Sequence, residues 1–106
     1  MKTYTGSRTA DGCTVVVTGG RTRVLNPRFD LRNHSPSGLE WGYAGSGPAQ
    51  LALALAADVL GDDEAALAVY QRLKSRTVAR LQAEGWSLTE EELAVTIREL
   101  ADDAGK

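Results

Sequence analysis

The period of the hydrophobic positions changes along this chain, and each change predicts an element. Lys2 to Gly6 reads as a short strand, followed by a loop closed by Asp11-Gly12. Cys13 to Thr18 is β-branched and bounded by glycines, which predicts a second strand. Gly19-Gly20 supplies the positive φ angles of a two-residue hairpin turn. Such a turn places Val17 opposite Thr22 and Val15 opposite Val24. One face is then apolar, and the other shows Thr14, Thr18, Arg21 and Arg23, as expected of a sheet covered by helices on one side.

Periodicity lapses from Asn26 to Gly47, where Leu39 to Tyr43 predicts at most a brief further strand. The stretch still carries Phe29, Leu31, Leu39, Trp41 and Tyr43, and disordered segments are poor in such residues. A long, irregular yet aromatic connection inside one domain is usually functional, so this loop is where activity is expected. Pro48 then opens a helix that is apolar nearly all round and ends at Gly61, which predicts a buried, central element. Either Ser46 or Gly47 can cap it, and with Gly47 as the cap Gln50 completes a partial capping box.

A second helix starts at Asp62-Asp63-Glu64, where acids suit the macrodipole, and is expected to run to Gly85. Its apolar stripe is Ala66, Tyr70, Leu73, Thr77 and Leu81, and Arg72, Arg76 and Arg80 form a second stripe. Thr89 with Glu92 makes a capping box for a third helix, with Leu88 and Leu93 as hydrophobic staple and Leu93, Ile97 and Leu100 as buried stripe. The tail ADDAGK is expected to fray. The sum is a single α+β domain over 1–106. Residues 1–25 form a short antiparallel N-terminal sheet (hairpin or three strands), 26–47 an ordered polar loop, and 48–103 three helices packed on the sheet.

Composition narrows the function classes. The chain is 42% apolar and 25% charged, values of a globular domain. No stretch reaches the roughly 20 uncharged apolar residues of a membrane helix, and no membrane partner is expected. The first twelve residues lack the apolar run of a signal peptide. Cys13 is the single cysteine, so neither an intrachain disulfide nor a cysteine-based zinc site is available, which fits a reducing, cytoplasmic compartment. With one histidine and no carboxylate pair spaced beside it, no metal or other cofactor is expected. The net charge of -2 disfavours nucleic acid as a partner. Cations do gather at the start, where Lys2, Arg8, Arg21, Arg23, Arg28 and Arg32 face only Asp11 and Asp30 before residue 35. That imbalance would steer an anionic partner toward this end, or simply belong to a mixed surface.

Four stretches carry candidate chemistry. Gly45-Ser46-Gly47-Pro48 is a glycine-rich bend opening a helix, which leaves backbone N–H groups free at the positive end of a dipole. It lacks the lysine of a phosphate-binding loop, and a tight entry into a buried helix, where glycine permits close packing, is the reading the sequence favours. Arg32, Asn33, His34 and Ser35 follow Asp30. His34 is the one side chain whose ordinary pKa suits a general base, while turn-making residues before Pro36 need no catalytic explanation. No catalytic residue is assigned. Glu40, Trp41 and Tyr43 lie in an extended stretch that places both rings on one face, to stack a ligand, anchor a partner or close the core. The arginine stripe at 72, 76 and 80 meets an acidic partner or is a solvated helix face.

The run DLRNHSPSGLEWGYAGSGPAQLALALAADVLGDDEAALAVYQRLK resembles a small bacterial family that also occurs on phages and plasmids, a domain of unknown function. The resemblance extends from Tyr4 to about Leu93. It is most specific where Asn33-His34-Ser35-Pro36, Glu40-Trp41-Gly42-Tyr43 and Gly45-Ser46-Gly47-Pro48-Ala49-Gln50 occur together. It implies the element order and a mobile-element setting, and brings no activity, cofactor or catalytic residue. In that setting the expected function is a small non-enzymatic binding module, an inhibitor that acts on another protein by contact. The alternative is a binder, conceivably an enzyme, of a small anion or nucleotide. It would use the Gly45–Gly47 bend with Arg32 and His34.

Overall fold

A computed structural model describes residues 1–104 of the chain. Strand β1 (Thr3–Thr9) turns through Ala10-Asp11 into β2 (Gly12–Thr18), and a two-residue β3 (Arg23–Val24) returns beside β2. After the long loop come α1 (Ser46–Leu60), α2 (Asp63–Arg76), a 3-10 turn (Val78–Arg80), β4 (Gly85–Thr89) and α3 (Glu90–Ala104). The four strands form one antiparallel sheet in the order β3-β2-β1-β4. The α+β class is as the sequence indicates.

α1 has no charge before Asp58, and every residue from Gly47 to Ala57 is buried. It lies between the inward face of the sheet, with Tyr4, Val15, Val17 and Leu25, and the buried sides of α2 and α3, with Leu73, Leu93 and Ile97. Gly61 closes it in the left-handed region at φ 63°, its N–H donating to the Ala57 carbonyl. Asp62 caps α2 by accepting from the Ala65 N–H at 3.1 Å, and Thr89 caps α3 by accepting from the Glu92 N–H at 3.0 Å.

The structure corrects the expected hairpin register. Val17 faces Arg23 and Val16 faces Val24, so the turn holds three residues, Gly19 to Arg21, instead of two. A one-residue slip reverses every side chain. Leu25 therefore enters the core at 2% exposure while Val24 is left 66% exposed. Arg23 leaves the outer face, where it was expected, and donates to Asp58 Oδ1 at 2.8 Å. Burying leucine in place of valine gains about 0.8 kcal/mol for the extra methylene. The alternative register would also cost the Asp58 pairing.

Two further expectations are corrected. Leu39 to Tyr43 is loop, not strand. α2 stops at Arg76 instead of continuing to Gly85, because the segment beyond it is recruited elsewhere: the Val78 and Ala83 carbonyls accept hydrogen bonds from the long loop. Gly85 to Thr89 joins the sheet at the free edge of β1. There the Trp86 ring lies over Gly6, where an added Cβ would come within 2.3 Å of it. α3 runs to Ala104, and Gly105 and Lys106, the end of the tail expected to fray, lie outside the described residues.

Candidate functional site

The loop between β3 and α1 is tied down from beneath by Gln50. This side chain is fully buried and sits on the first turns of α1. Its amide does not turn back to complete a capping box, since the cap is Gly45, one residue before the helix. It reaches into the loop, donating to the carbonyls of Pro27 at 2.6 Å and Arg32 at 3.0 Å and accepting from the His34 N–H at 2.8 Å. Both ends of an amide are thereby satisfied, as a buried polar group requires. The His34 ring is held from α2, its Nε2 2.7 Å from the Tyr70 hydroxyl. Arg28, at a positive φ of 59°, clips the loop to α2 by donating to both Asp30 and Asp63.

Asp30 is thus engaged by Arg28, whose guanidinium holds its carboxyl below the usual carboxylate range. Ser35 is buried. His34, Asp30 and Ser35, adjacent in sequence, are not assembled as base, orienting acid and nucleophile: histidine meets a tyrosine and aspartate an arginine.

A second tie closes the far end of the loop. Arg8 of β1 grips Glu40 with two parallel hydrogen bonds of 2.9 and 2.8 Å. It also lies 5.2 Å over the Trp41 ring, a cation–π contact. These bonds, with lesser help from the Trp41 N–H and Cys13, hold the Glu40 carboxyl down at about 2. Trp41 is 1% exposed, stands edge-on to Trp86 at 5.5 Å, and donates from Nε1 to the Ala83 carbonyl at 3.1 Å. No face of it is left for a ligand or partner. Nearby, burial and then a hydrogen bond to Glu40 push the Cys13 thiol up, which keeps it protonated and a poor nucleophile.

The glycine bend is filled by its own neighbours. An added Cβ on Gly45 would come within 2.6 Å of the Tyr43 ring, and one on Gly47 within 2.5 Å of Glu40 Cβ. Both glycines let side chains lie directly on the backbone. The Glu40 side chain packs on Gly47 and directs its carboxylate to Arg8 and the Trp41 N–H.

The ten candidate residues therefore fall into two sets. His34, Ser35, Glu40, Trp41, Gly45 and Gly47 are engaged or covered within the fold, while Arg32, Asn33, Tyr43 and Ser46 stay open to solvent. Tyr43 is the largest of these at 51% exposure. Of the cations gathered near the start of the chain, Arg23 and Arg28 are paired with Asp58, Asp30 and Asp63. Among the described residues, no cluster of three or more His, Cys, Asp or Glu side chains could hold a metal ion. No described helix is long and apolar enough to cross a membrane.

The sequence reading overlooked the groove on the outer side of the loop. Val24, Pro27, Phe29, Pro36 and Leu39 line a groove of about 330 Å³ that runs along β2 at Cys13 to Val15. Val24 and Phe29 are 66% and 40% exposed. β3 pairs only with Val16 and Val17, followed by a single bond from the Leu25 N–H to the Val15 carbonyl at 2.9 Å. Backbone groups two residues apart on a strand point the same way, so the N–H and carbonyl of Cys13 are directed to that same edge, beyond the end of β3. One signal lay in the sequence: Phe29, the single phenylalanine, stands between prolines in a polar loop.

Fold and loop together define a class: a small α+β domain whose four-stranded sheet is covered by helices on one face, with an irregular loop clamped onto the first helix. The chain belongs to DUF6166, a family of unknown function whose pattern matches residues 4–99. No curated protein and no solved structure matches it.

Proposed function

We propose that this protein is a non-enzymatic binding module that takes an extended, apolar-anchored segment of another protein into the Val24–Phe29 groove. One observation carries the reading: exposed apolar side chains border a stretch of sheet edge whose backbone has no strand beside it. Such an edge offers main-chain hydrogen bonds to an added strand, and the adjacent groove takes its alternate side chains. Gln50 and Arg8 hold the loop wall in place beforehand, which lowers the ordering cost of binding. The resemblance to phage- and plasmid-borne proteins adds the setting, an inhibitor acting on a host protein in the bacterial cytoplasm. A lone, protonated thiol suits that reducing compartment.

The test is a peptide-display selection against the wild-type domain, with Val24→Asp and Phe29→Asp as counter-targets. Both positions are exposed, so the variants are expected to melt with the wild type. The expected result is enrichment of β-prone peptides with one large apolar residue, whose binding either substitution weakens at least tenfold. Peptides that bind both variants as well as the wild type, or no enriched pattern at all, would refute the proposal.

A further inference from the structure

Far along the chain from that groove, the molecule carries a second surface that no internal contact explains. The C-terminal half of α2, the 3-10 turn and Leu100 of α3 enclose an open groove of about 540 Å³ lined by Arg72, Lys74, Arg76 and Arg80. Gln71 and Ser75 complete its wall. Among the described residues, one acid meets these four cations: Glu99, 3.7 Å from Arg76, in a pair whose side chains are 47% and 56% exposed. Arg72 makes a single hydrogen bond, to the Ala68 carbonyl of its own helix. Elsewhere in the protein the arginines that hold the fold are matched by close carboxylates, as Arg8, Arg23 and Arg28 are. Here the positive charge is left over.

We infer that this groove is a docking site for a short acidic segment of a protein partner. Arg72 and Arg76 stand one helical turn apart, about 6 Å along the axis, which is also the spacing of carboxylates at i and i+4 on a facing helix. A guanidinium fork takes a carboxylate with two parallel bonds, and the nearly buried Leu100 gives an apolar floor for a residue between the two acids. A nucleic-acid strand fits less well. The lining has no aromatic ring on which bases stack. This surface shares no residue with the proposed peptide groove and stands or falls without it.

The probe is a fluorescein-labelled helical 14-residue peptide with Glu at i and i+4 and Leu between them, titrated by anisotropy at low and physiological salt. Its Gln-for-Glu counterpart and a 12-nucleotide oligothymidine serve as comparisons. The double variant Arg72→Gln/Arg76→Gln is set against Arg21→Gln/Arg98→Gln, which removes the same charge elsewhere; circular dichroism melts confirm that both fold. The expected result is at least a tenfold weaker acidic-peptide affinity in the first variant, less than twofold in the second, and little binding of the Gln peptide. Equal losses in both variants would reduce the effect to overall charge and overturn the inference. Oligothymidine binding as tightly through the same arginines would overturn it in favour of nucleic acid. A low-salt dimer in sedimentation that Arg72→Gln/Arg76→Gln dissolves would overturn it in favour of a second copy.

Discussion

Replacing Gln50 by leucine keeps volume and burial while removing the three side-chain hydrogen bonds that tie α1 to Pro27, Arg32 and His34 of the loop. Three hydrogen bonds are lost, at 2.6, 2.8 and 3.0 Å, from a side chain with no exposed surface. At roughly 0.5–1.5 kcal/mol net for each, the direct loss is about 3 kcal/mol. Leucine recovers some of this through apolar burial. The His34 N–H and the Pro27 and Arg32 carbonyls, left without partners in a half-buried place, take back a similar amount. The expected destabilisation is therefore about 3 kcal/mol, or roughly 10–20 °C in Tm for a domain of this size. Urea titration followed by circular dichroism measures the total. Amide exchange at His34 and limited proteolysis across 26–38 show whether the loop opens before the core. Gln50→Glu should cost more, because a carboxylate cannot donate to two carbonyl oxygens and would face them instead. A Gln50→Leu protein within about 0.5 kcal/mol of the wild type, with His34 still protected, would refute the claim that this amide holds the loop.

Three other outcomes follow from the same contacts. Gly47→Ala should destabilise by about 1–3 kcal/mol in a thermal melt, since the new methyl meets Glu40 Cβ, which is fixed to the backbone. Glu40 is held at about 2, below its ordinary 4.5, so folding favours the ionised carboxylate. Its contribution is complete above about pH 4.5 and is lost as pH falls toward 2. Glu40→Gln should flatten the fall of the urea midpoint across that window. Asp58 gathers the Tyr4 hydroxyl at 2.6 Å, the Lys2 ammonium at 3.1 Å and the Arg23 guanidinium at 2.8 Å. Burial pushes its carboxyl up, but those three donors together outweigh it and lower it. Asp58→Ala strands the Tyr4 hydroxyl and should cost about 2 kcal/mol in chemical denaturation.

What the sequence determined is what neighbouring residues decide among themselves. The apolar run of α1, the acids and cap of α2, the Thr89 cap of α3 and the β-branched run of β2 are local preferences of period and end chemistry, and each element forms there, although α1 begins at Ser46 with Gly45 as its cap, ahead of the expected start at Pro48. The aromatic loop likewise announced that it would be anchored, though not by what. Tertiary structure decided everything that depends on a partner distant in sequence. The hairpin register turned on whether Leu25 or Val24 reached the core and on Asp58, 35 residues beyond Arg23. Gln50 looked like a capping residue until the loop supplied two carbonyls and an N–H better placed than its own helix end. The stretch after Arg76 could have continued as helix, but its carbonyls are worth more to Trp41 and Gly42, and its last five residues to the open edge of β1. The same distinction governs function. Trp41 and the glycine bend were conspicuous by residue type and are occupied in holding the loop, whereas the exposed groove and the uncompensated arginines emerge only once the fold has settled which side chains find partners.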